Sequence, residues 1–538
     1  MTADFELDRD LETRARYAQG GGIYRIVPAA VAHPTTAREL ALALDQAAAS
    51  GLTVTPRGAG SAMSGDNVTD GVILDLSGYD PSRCQIDPDE QMAIVSPALP
   101  LAALNRAASF YRLQLPVDPS SAAWATLGGM VSTNASGPHT VRDGSMRAWV
   151  MALTLLTGDG PLALVRGHAP PADHPVVRRW QATVAPMLAR HAAEIAGRFP
   201  GVRKNTAGFR LDEIVRSGDL IDAVIGSEGT LGVITDVMVR LAPVPDQRLA
   251  LRVAVRERSD LVKVIELIRA FAPATLELLD RTFLRLVADR IATPEQPGLL
   301  LAAAGLLLVE LEGDADDVQL RAAALVEALV PLVLDVRLAA DPADAAQLWA
   351  LRHAASPILA GLTDGRRSLQ VIEDGCVPVA RLGDYLDAVE QAAAAQRIDL
   401  VMFGHAGDGH VHVNLLPNLQ DADWLPRVAA IYRDVSRAVM ALGGTPSGEH
   451  GAGRLRASLL RELYGDVVME CCAAVKAAFD PTGRFNPGVI LPDERPPLER
   501  LKVGPGAAEL PAGTAEYLLA VEAGARWGES RWMATPSR

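Results

Sequence analysis

Cysteine, lysine and aromatic residues are all scarce in this chain of 538 residues. The four cysteines contain no CxxC pair, so they cannot build an iron–sulfur cluster or a four-cysteine zinc site. So low a cysteine content favours a reducing compartment. Only four of the 51 basic residues are lysine, and the net charge of −14 argues against nucleic acid as a partner.

Long apolar runs are also missing. The longest candidate, Leu299–Val309, is far shorter than the roughly 18 residues that a membrane-spanning helix needs, and it predicts a buried strand or helix segment. The opening residues MTADFELDRD are acidic and lack the apolar core of a signal peptide. We therefore expect a cytoplasmic protein, and leave open a peripheral place at the inner face of the membrane. The apolar share of 49% indicates a globular protein with a sizeable core.

The pattern of elements divides the chain into four segments. A strand–loop–helix rhythm continues to about residue 240, where the two prolines of LAPVPDQ indicate a boundary. Strand and helix patterns then alternate as in an α+β domain, with a strand-like run over 299–311. Pro and Gly become frequent after Asp493. We expect segments 1–243, 244–415, 416–492 and a tail 493–538 that contains Trp527 and Trp532.

Three polar, glycine-rich loops occur in the first segment, at Thr55–Gly65, Leu115–Gly144 and Gly226–Thr235. Backbone N–H groups and hydroxyls in such loops can bind a phosphate, because glycine permits close approach. The first loop lacks GK[ST] and misplaces the third glycine of GxGxxG, so on its own it is equally well an ordinary turn. Together, the three loops indicate one large ligand that is held by backbone groups.

A histidine cluster lies in GHAGDGHVHVN and in the later SGEHGAG. Strand alternation places His410, His412 and Asn414 on one face. Glu449 and His450 are neighbours that point apart in an extended loop, which suits two different roles. One assignment is a metal site with open positions, formed by His405, His412 and Glu449, which leaves His450 free as a base. On spacing alone, a polar loop with histidines bonded to backbone carbonyls is an equal alternative.

The segments PRGAGSAMSG, DPSS…ATLGGMVSTNASG and GSEGTLGVIT resemble the three FAD-contacting segments of the vanillyl-alcohol oxidase / p-cresol methylhydroxylase flavoprotein superfamily. The resemblance implies an α+β protein: a two-subdomain FAD-binding domain of the p-cresol methylhydroxylase type, a ferredoxin-like cap domain and C-terminal helices. The FAD contacts that it implies are Pro56, Arg57, Gly58, Ala59, Gly60, Ser61, Ser64, Gly65, Asp118, Pro119, Ser120, Thr126, Gly128, Gly129, Ser132, Thr133, Asn134, Gly137, Glu228, Gly229, Ile234 and Asn486. No His or Cys lies within Thr55–Gly65, and His139 is not at an expected attachment point, so we expect non-covalent FAD.

GHAGDGHVH and GEHGAG resemble the paired signatures HxGDGxxH and GEHG of the FAD-linked D-2-hydroxy acid dehydrogenases, which include D-lactate, glycolate and D-2-hydroxyglutarate dehydrogenases. FDPTGRFNPG resembles the closing motif of that branch, and LWALRHA resembles its carboxylate-binding segment. The resemblance spans about residues 20–490. It implies Arg352 at the substrate carboxylate, with Asn414 and His410 completing the substrate site. From the sequence alone, Arg352 is also compatible with a surface charge on a helix.

Two positions depart from this branch. His410 stands where the family usually has Asn, so the substrate pocket or the surroundings of the metal should differ. The lysine that the hydroxyglutarate enzymes place before the Glu373-Asp374 pair has no match, and Arg366 or Arg367 is offered in its place as a contact to a second carboxylate.

The implied reaction is oxidation of a D-2-hydroxy acid to a 2-oxo acid, with hydride passing to flavin N5. His450 would be the base, and zinc or manganese would bind His405, His412 and Glu449. Electrons would leave to an external acceptor: a quinone, a cytochrome, an electron-transfer flavoprotein or an iron–sulfur subunit. The alternatives are an oxidase of the same fold acting on an alcohol or phenol, and an electron-transfer subunit of a larger complex. A homodimer is left open.

Overall fold

The computed structural model describes residues 5–288, 297–354, 358–359, 362 and 364–523. Trp527 and Trp532 of the predicted tail lie outside these described residues. The fold mixes helices with four β-sheets, as the α+β prediction required.

The first sheet is small and parallel. Its strands β1 (Ala30–Ala32), β2 (Val54–Arg57) and β3 (Val72–Asp75) run in the order β1-β3-β2. The predicted helix forms over Ala37–Ala49, and Thr36 caps it by accepting a hydrogen bond from the N–H of Glu39. Because β2 is parallel to its neighbour, the glycine-rich loop that follows it leaves from the carboxyl edge of the sheet, where ligands of α/β sheets usually bind.

The second sheet is antiparallel and contains five strands: β4 (Cys84–Asp87), β5 (Met92–Val95), β7 (Val150–Thr157), β8 (Gly160–Val165) and β9 (Val233–Arg240). They run in the order β4-β5-β9-β7-β8, and β6 (Leu113–Gln114) pairs separately with β10 (Ala242–Pro243). The helices of this region are Leu11–Arg16, Leu101–Ala108, Leu127–Thr133, Thr140–Asp143, Pro175–Arg179, Ala185–Arg198, Leu211–Ser217 and Ile221–Val224. The second glycine-rich segment, Leu115–Gly144, therefore contains the two short helices Leu127–Thr133 and Thr140–Asp143.

The third sheet is antiparallel and has seven strands: β11 (Gln247–Val255), β12 (Thr275–Asp280), β13 (Gly305–Gly313), β14 (Asp335–Leu338), β15 (Gly375–Cys376), β16 (Asp399–Gly404) and β17 (His410–Leu416). Their order is β14-β11-β13-β12-β16-β17-β15. Side chains of β11 alternate between two cores: Leu251 and Val253 pack under one set of helices, while Ala250 and Ala254 face another.

Helices cover both faces of this sheet. They are Arg258–Arg269, Arg281–Ala288, Pro297–Ala302, Ala315–Leu329, Pro342–His353 and Leu382–Ala395. The expectation of a strand-like run over 299–311 is only partly correct, because Pro297–Ala302 is helical and β13 begins at Gly305. Every residue from Gly305 to Val309 is buried, so the run carries no period that could have located the change from helix to strand.

The C-terminal helices are Trp424–Ala441, Leu460–Tyr464, Asp466–Phe479 and Thr514–Ala523. The loop between the first two carries the GEHG motif and contacts the glycine-rich loops. The backbone N–H groups of Ala452 and Gly453 donate to the Glu228 carboxylate at 2.8 and 2.7 Å, and the Ser64 hydroxyl donates to the carbonyl of His450 at 2.8 Å. This loop therefore brings the histidine cluster against the first segment.

Candidate functional site

One cavity of about 850 Å³ joins the glycine-rich loops to the histidine cluster. Part of its wall consists of residues that were predicted to contact FAD: Pro56, Arg57, Gly58, Ala59, Gly60, Ser61, Asp118, Pro119, Ser120, Thr126, Gly128, Gly129, Ser132, Thr133, Gly137, Glu228, Gly229 and Ile234. Another part consists of predicted metal, substrate and base residues: Arg352, His405, His412, Asn414, Glu449 and His450. The fold thus brings both sets to one cavity.

The glycines of this wall allow the loops to approach each other closely. A Cβ atom at Gly58 would lie 2.2 Å from Oγ1 of Thr126, and one at Gly128 would lie 2.6 Å from Cβ of Pro97. Side chains at these positions would collide, so the cavity is bordered by bare backbone and small hydroxyls. That surface fits a large phosphate-bearing cofactor such as FAD.

Four predicted FAD contacts lie behind this wall and not on it: Ser64, Gly65, Asn134 and Asn486. The Asn486 amide donates to the backbone carbonyls of Asp66 and Glu228 at 2.7 and 2.8 Å. The Ser64 hydroxyl is bonded to the His450 carbonyl. The Ser64 hydroxyl and the Asn486 amide therefore already make hydrogen bonds within the protein that connect these loops.

The predicted metal ligands converge on one point. Nε2 of His405 lies 3.3 Å from Nε2 of His412, and Oε1 of Glu449 lies 3.3 and 3.4 Å from these two atoms. The other nitrogen of each ring is held by an oxygen acceptor: Nδ1 of His405 by the Glu277 carboxylate and Nδ1 of His412 by the Glu373 carbonyl at 3.0 Å. Two imidazole nitrogens and a carboxylate oxygen therefore face one another, an arrangement that can hold a divalent cation.

The second oxygen of Glu449 is bound elsewhere. Its Oε2 accepts from Nζ of Lys204 at 2.6 Å and from the Ser136 hydroxyl at 3.0 Å, and Lys204 also donates to the carbonyl of Gly137 at 3.1 Å. These contacts connect the predicted metal ligands to the predicted flavin wall. The sequence analysis missed the role of Lys204, although its rarity as one of four lysines was a usable signal.

The charges around Glu449 and His412 favour ligation by these two residues, whereas burial lowers the pKa of His405 but Glu277 outweighs it and raises that pKa. Burial raises the pKa of Glu449, but Lys204 and His405 overcome this and hold the pKa well below its usual range. Burial, together with the neighbouring His410, lowers the pKa of His412. Glu449 is therefore a carboxylate and His412 a neutral imidazole, which are the forms that bind a metal.

His450 lines the cavity beside this cluster. Its Nδ1 lies 2.8 Å from Oε2 of Glu373, which also pairs with Arg456, and its Nε2 lies 3.6 Å from Oε1 of Glu449. Burial lowers the pKa of His450, but Glu373 and Asp374 outweigh it and raise the pKa to about 10. The ring is therefore held in a fixed orientation by carboxylates that the sequence analysis did not include in the site.

Two hydrogen-bond donors face the cavity near the cluster. Nε of Arg352 donates to Glu277 at 3.0 Å and its guanidinium lies 4.5 Å from the centre of the Phe403 ring, while its two terminal nitrogens make no hydrogen bond to a described residue. Asn414 accepts from Ser368 at 3.0 Å, and its buried Nδ2 has no partner within the described part of the chain. Both donors are available to an anionic ligand, so the reading of Arg352 as a surface charge does not apply.

Two predictions about the substrate site need correction. His410 is completely buried behind Glu449 and does not line the cavity, because its ring is bonded to Asp374. Arg366 pairs with Asp364 and Asp399 outside the cavity, and Arg367 does not line it either. The structure therefore places neither arginine on the described cavity wall.

Residues 28–165 match the family model described as FAD binding domain, and residues 245–490 match the one described as FAD linked oxidases, C-terminal domain. The chain belongs to the FAD-linked oxidase family. It is therefore an FAD-dependent oxidoreductase, and the prediction of FAD from the three glycine-rich segments is confirmed. The two matches together include the histidine cluster and the predicted flavin wall, except Glu228, Gly229 and Ile234.

Three relatives of this FAD-linked oxidase are named after glycolate, D-lactate and D-2-hydroxyglutarate. The glycolate oxidase subunit GlcD of Bacillus subtilis is 28% identical over 87% of this chain and 90% of that protein. The D-lactate dehydrogenase of Archaeoglobus fulgidus is 27% identical over 86% and 91% of the two chains. The D-2-hydroxyglutarate dehydrogenase of Pseudomonas putida is 28% identical over 90% of this chain but only 50% of that protein.

Solved structures support the family fold. A p-cresol methylhydroxylase aligns with a TM-score of 0.66 and 14% identity over 90% of this chain and 94% of that one. An alkyldihydroxyacetonephosphate synthase aligns with a TM-score of 0.61 and 14% identity over 90% and 82%. At such identities the likeness concerns the fold alone, and it confirms the p-cresol methylhydroxylase type. Within the described ranges, no helix of this oxidase combines the length and the apolar character needed to cross a bilayer.

Proposed function

We propose that this FAD-linked oxidase converts a D-2-hydroxy acid to the 2-oxo acid, with non-covalent FAD and a divalent cation. One observation carries the proposal: the free donors of Arg352 and Asn414, the converging metal ligands and the predicted flavin wall line a single cavity. The names of the relatives, which refer to glycolate, D-lactate and D-2-hydroxyglutarate, support the same substrate class.

The carboxylate of the substrate would bind Arg352. Its two terminal nitrogens form a planar fork that matches both oxygens of a carboxylate. The hydrogen bond to Glu277 and the ring of Phe403 fix this fork before the substrate arrives, which reduces the entropy lost on binding. The unpartnered amide of Asn414 would donate a further hydrogen bond to an oxygen of the substrate.

His405, His412 and Glu449 would hold the cation, and a set of two imidazoles and one carboxylate suits zinc or manganese. When bound, the cation would supply a Lewis acid for the substrate hydroxyl and a positive charge that lowers the pKa of His450. His450 would accept the hydroxyl proton, because its ring lines the cavity and Glu373 fixes its orientation. FAD supplies the hydride acceptor at N5.

The cavity favours a substrate with one carboxylate and an apolar side chain. Arg57 and Arg352 are the only lysine or arginine residues among its described lining, and Arg57 donates to the backbone carbonyls of Tyr17, Gln19 and Asn67. Its lining also includes Trp349, Leu359 and Phe403. We therefore propose a monocarboxylic 2-hydroxy acid, with electrons passing from the flavin to an acceptor outside this chain.

Anaerobic reduction of the flavin in the purified holoenzyme tests the proposal. A panel should contain D- and L-lactate, glycolate, D-mandelate, D-2-hydroxyglutarate and 4-hydroxybenzyl alcohol, each with and without a chelator. We expect D-monocarboxylates to bleach the flavin and the chelator to slow the reaction. Reduction by the phenolic alcohol alone would favour the oxidase alternative, and the absence of reduction by any 2-hydroxy acid would overturn the proposal.

A further inference from the structure

The completely buried His410 carries an unsatisfied ring nitrogen. Its Nε2 lies 2.9 Å from Oδ1 of Asp374, and its Nδ1 has no hydrogen-bond partner among the residues that the structure describes. Asp374 also accepts hydrogen bonds from the backbone N–H groups of Glu449 and His450 at 3.0 Å each, so it acts as a carboxylate. Nε2 of His410 therefore carries the hydrogen, and Nδ1 presents a bare lone pair in the protein interior.

Among the described residues, none donates a hydrogen bond to this lone pair. Oε2 of Glu449, 3.9 Å from Nδ1 of His410, is itself an acceptor. The buried amine of Lys204 is directed to Glu449 and to the carbonyl of Gly137 instead. A buried hydrogen-bond acceptor without a donor lowers the free energy of unfolding. Nδ1 of His410 is therefore suited to bind a group that accepts its electron pair.

The three histidines of the cluster share one arrangement. Each has one ring nitrogen held by an oxygen acceptor, namely the Glu277 carboxylate for His405, the Glu373 carbonyl for His412 and the Asp374 carboxylate for His410. One ligand atom from each of His405, His410, His412 and Glu449 can be chosen so that all four lie within 4.8 Å of one another. Such acceptors orient the rings of metal-binding histidines and fix the tautomer that binds.

The space for the third ring comes from a neighbouring glycine. A Cβ atom at Gly448 would lie 2.7 Å from Cδ2 of His410, so a larger residue at position 448 would displace the imidazole. Gly448 belongs to the GEHG motif that also supplies Glu449. The ring is thus accommodated by the same loop that provides the carboxylate ligand.

We infer that Nδ1 of His410 is a fourth protein ligand of the divalent cation, which makes the set three imidazoles and one carboxylate. The inference rests on the metal of the proposed function. It concerns position 410, where this chain has His and the resembling enzymes usually have Asn. Because imidazole nitrogen suits zinc better than manganese, the additional ligand should shift the metal preference towards zinc.

Metal affinity of the full-length holoenzyme tests this inference directly. Zinc and manganese binding should be measured by competition with a chromophoric chelator in the wild type, His410→Asn, His405→Asn and the exposed control His168→Asn. We expect His410→Asn to bind zinc at least tenfold more weakly and manganese with a smaller change, while FAD content and the control stay unchanged. Zinc affinity within twofold of wild type in His410→Asn would overturn the inference.

These variants distinguish failure of the fourth ligand from failure of the proposed metal site itself. If His405→Asn loses zinc while His410→Asn keeps it, only the fourth ligand is wrong. If the wild type itself binds neither metal, the metal-assisted mechanism fails as well. Zinc-edge X-ray absorption of the wild-type protein requires no variant: three imidazoles around zinc support the inference, and two overturn it even if His410→Asn fails to fold.

Discussion

Nζ of Lys204 lies 2.6 Å from Oε2 of Glu449, and both side chains are buried. The contact fixes the two carboxylate oxygens of Glu449 in different roles, because Oε2 is occupied by the amine while Oε1 faces His405 and His412. Lys204 also donates to the carbonyl of Gly137 in the predicted flavin wall. A single buried amine therefore connects the cation site to the cofactor site.

Replacing Lys204 should weaken the cation site. In Lys204→Met the carboxylate of Glu449 would lose its charged partner and could rotate away from the two histidines. We expect the metal affinity to fall by about 10- to 100-fold, the range seen when outer partners of metal ligands are removed. Competition with a chelator measures this, and Lys263→Met, on an exposed helix position, is the control. Unchanged affinity would show that Glu449 needs no such partner.

Replacing Arg352 with lysine should lower the catalytic efficiency. In Arg352→Lys a positive charge remains, but the planar fork and its contact with the Phe403 ring are lost. We expect kcat/KM for the best hydroxy acid to fall by about 100-fold, or roughly 3 kcal/mol, with FAD content unchanged. Steady-state kinetics measures the change. A variant within threefold of wild type would remove Arg352 from the carboxylate site.

Local signals in the sequence were sufficient for several elements. The Leu and Ala spacing of residues 36–50 predicts a helix, which forms over Ala37–Ala49, and β17 carries the predicted alternation from His410 to Asn414. The uniformly apolar run of residues 299–311 had no period, so its division into a helix and a strand could not be foreseen. Where every residue of a run is apolar, the sequence does not locate the boundary between a helix and a strand, and only the tertiary structure shows it.

The residues of the candidate site were likewise predictable only where a short segment carries a local pattern. The motif histidines and Arg352 could be named because short segments carry them, whereas the residues that orient them could not. Glu277 lies 128 positions before His405 and reaches it because β12 pairs with β16. No local pattern distinguishes such a carboxylate from a surface charge, and the same is true of Lys204 and Glu373.

A positively charged side chain added to the cavity wall should change the substrate preference of the enzyme. Gln370 lines the cavity, where the described wall has no lysine or arginine other than Arg57 and Arg352. We expect Gln370→Arg to raise the ratio of kcat/KM for D-2-hydroxyglutarate to that for D-lactate by about tenfold, because it could pair with the second carboxylate. Gln370→Met is the neutral control. If the wild type already prefers the dicarboxylate, the monocarboxylate proposal fails.

A second ionic cluster joins the first segment of the chain to the seven-stranded sheet. Nδ1 of His139 lies 2.6 Å from Asp118, and its Nε2 lies 3.2 Å from Glu312 and 3.6 Å from Glu310. Glu312 also pairs with Arg142 at 2.6 Å and with Arg248 at 3.0 Å. Burial lowers the pKa of His139, but Asp118 and Glu312 raise it to about 10. Burial raises the pKa of Glu312, but His139 and Arg142 lower it to about 2.

These opposite shifts predict a stability maximum at mildly acidic pH. The contribution of Glu312 is present above its ordinary pKa of 4.5 and is lost as the pH falls towards about 2. The contribution of His139 is present below its ordinary pKa of 6.5 and is lost as the pH rises towards about 10. Glu312→Gln should therefore lower the melting temperature by about 2 °C between pH 4.5 and 6.5, and by less on either side. Thermal unfolding from pH 3 to 10, with the exposed Asp89→Asn as control, measures this, and a difference independent of pH would contradict the assignment.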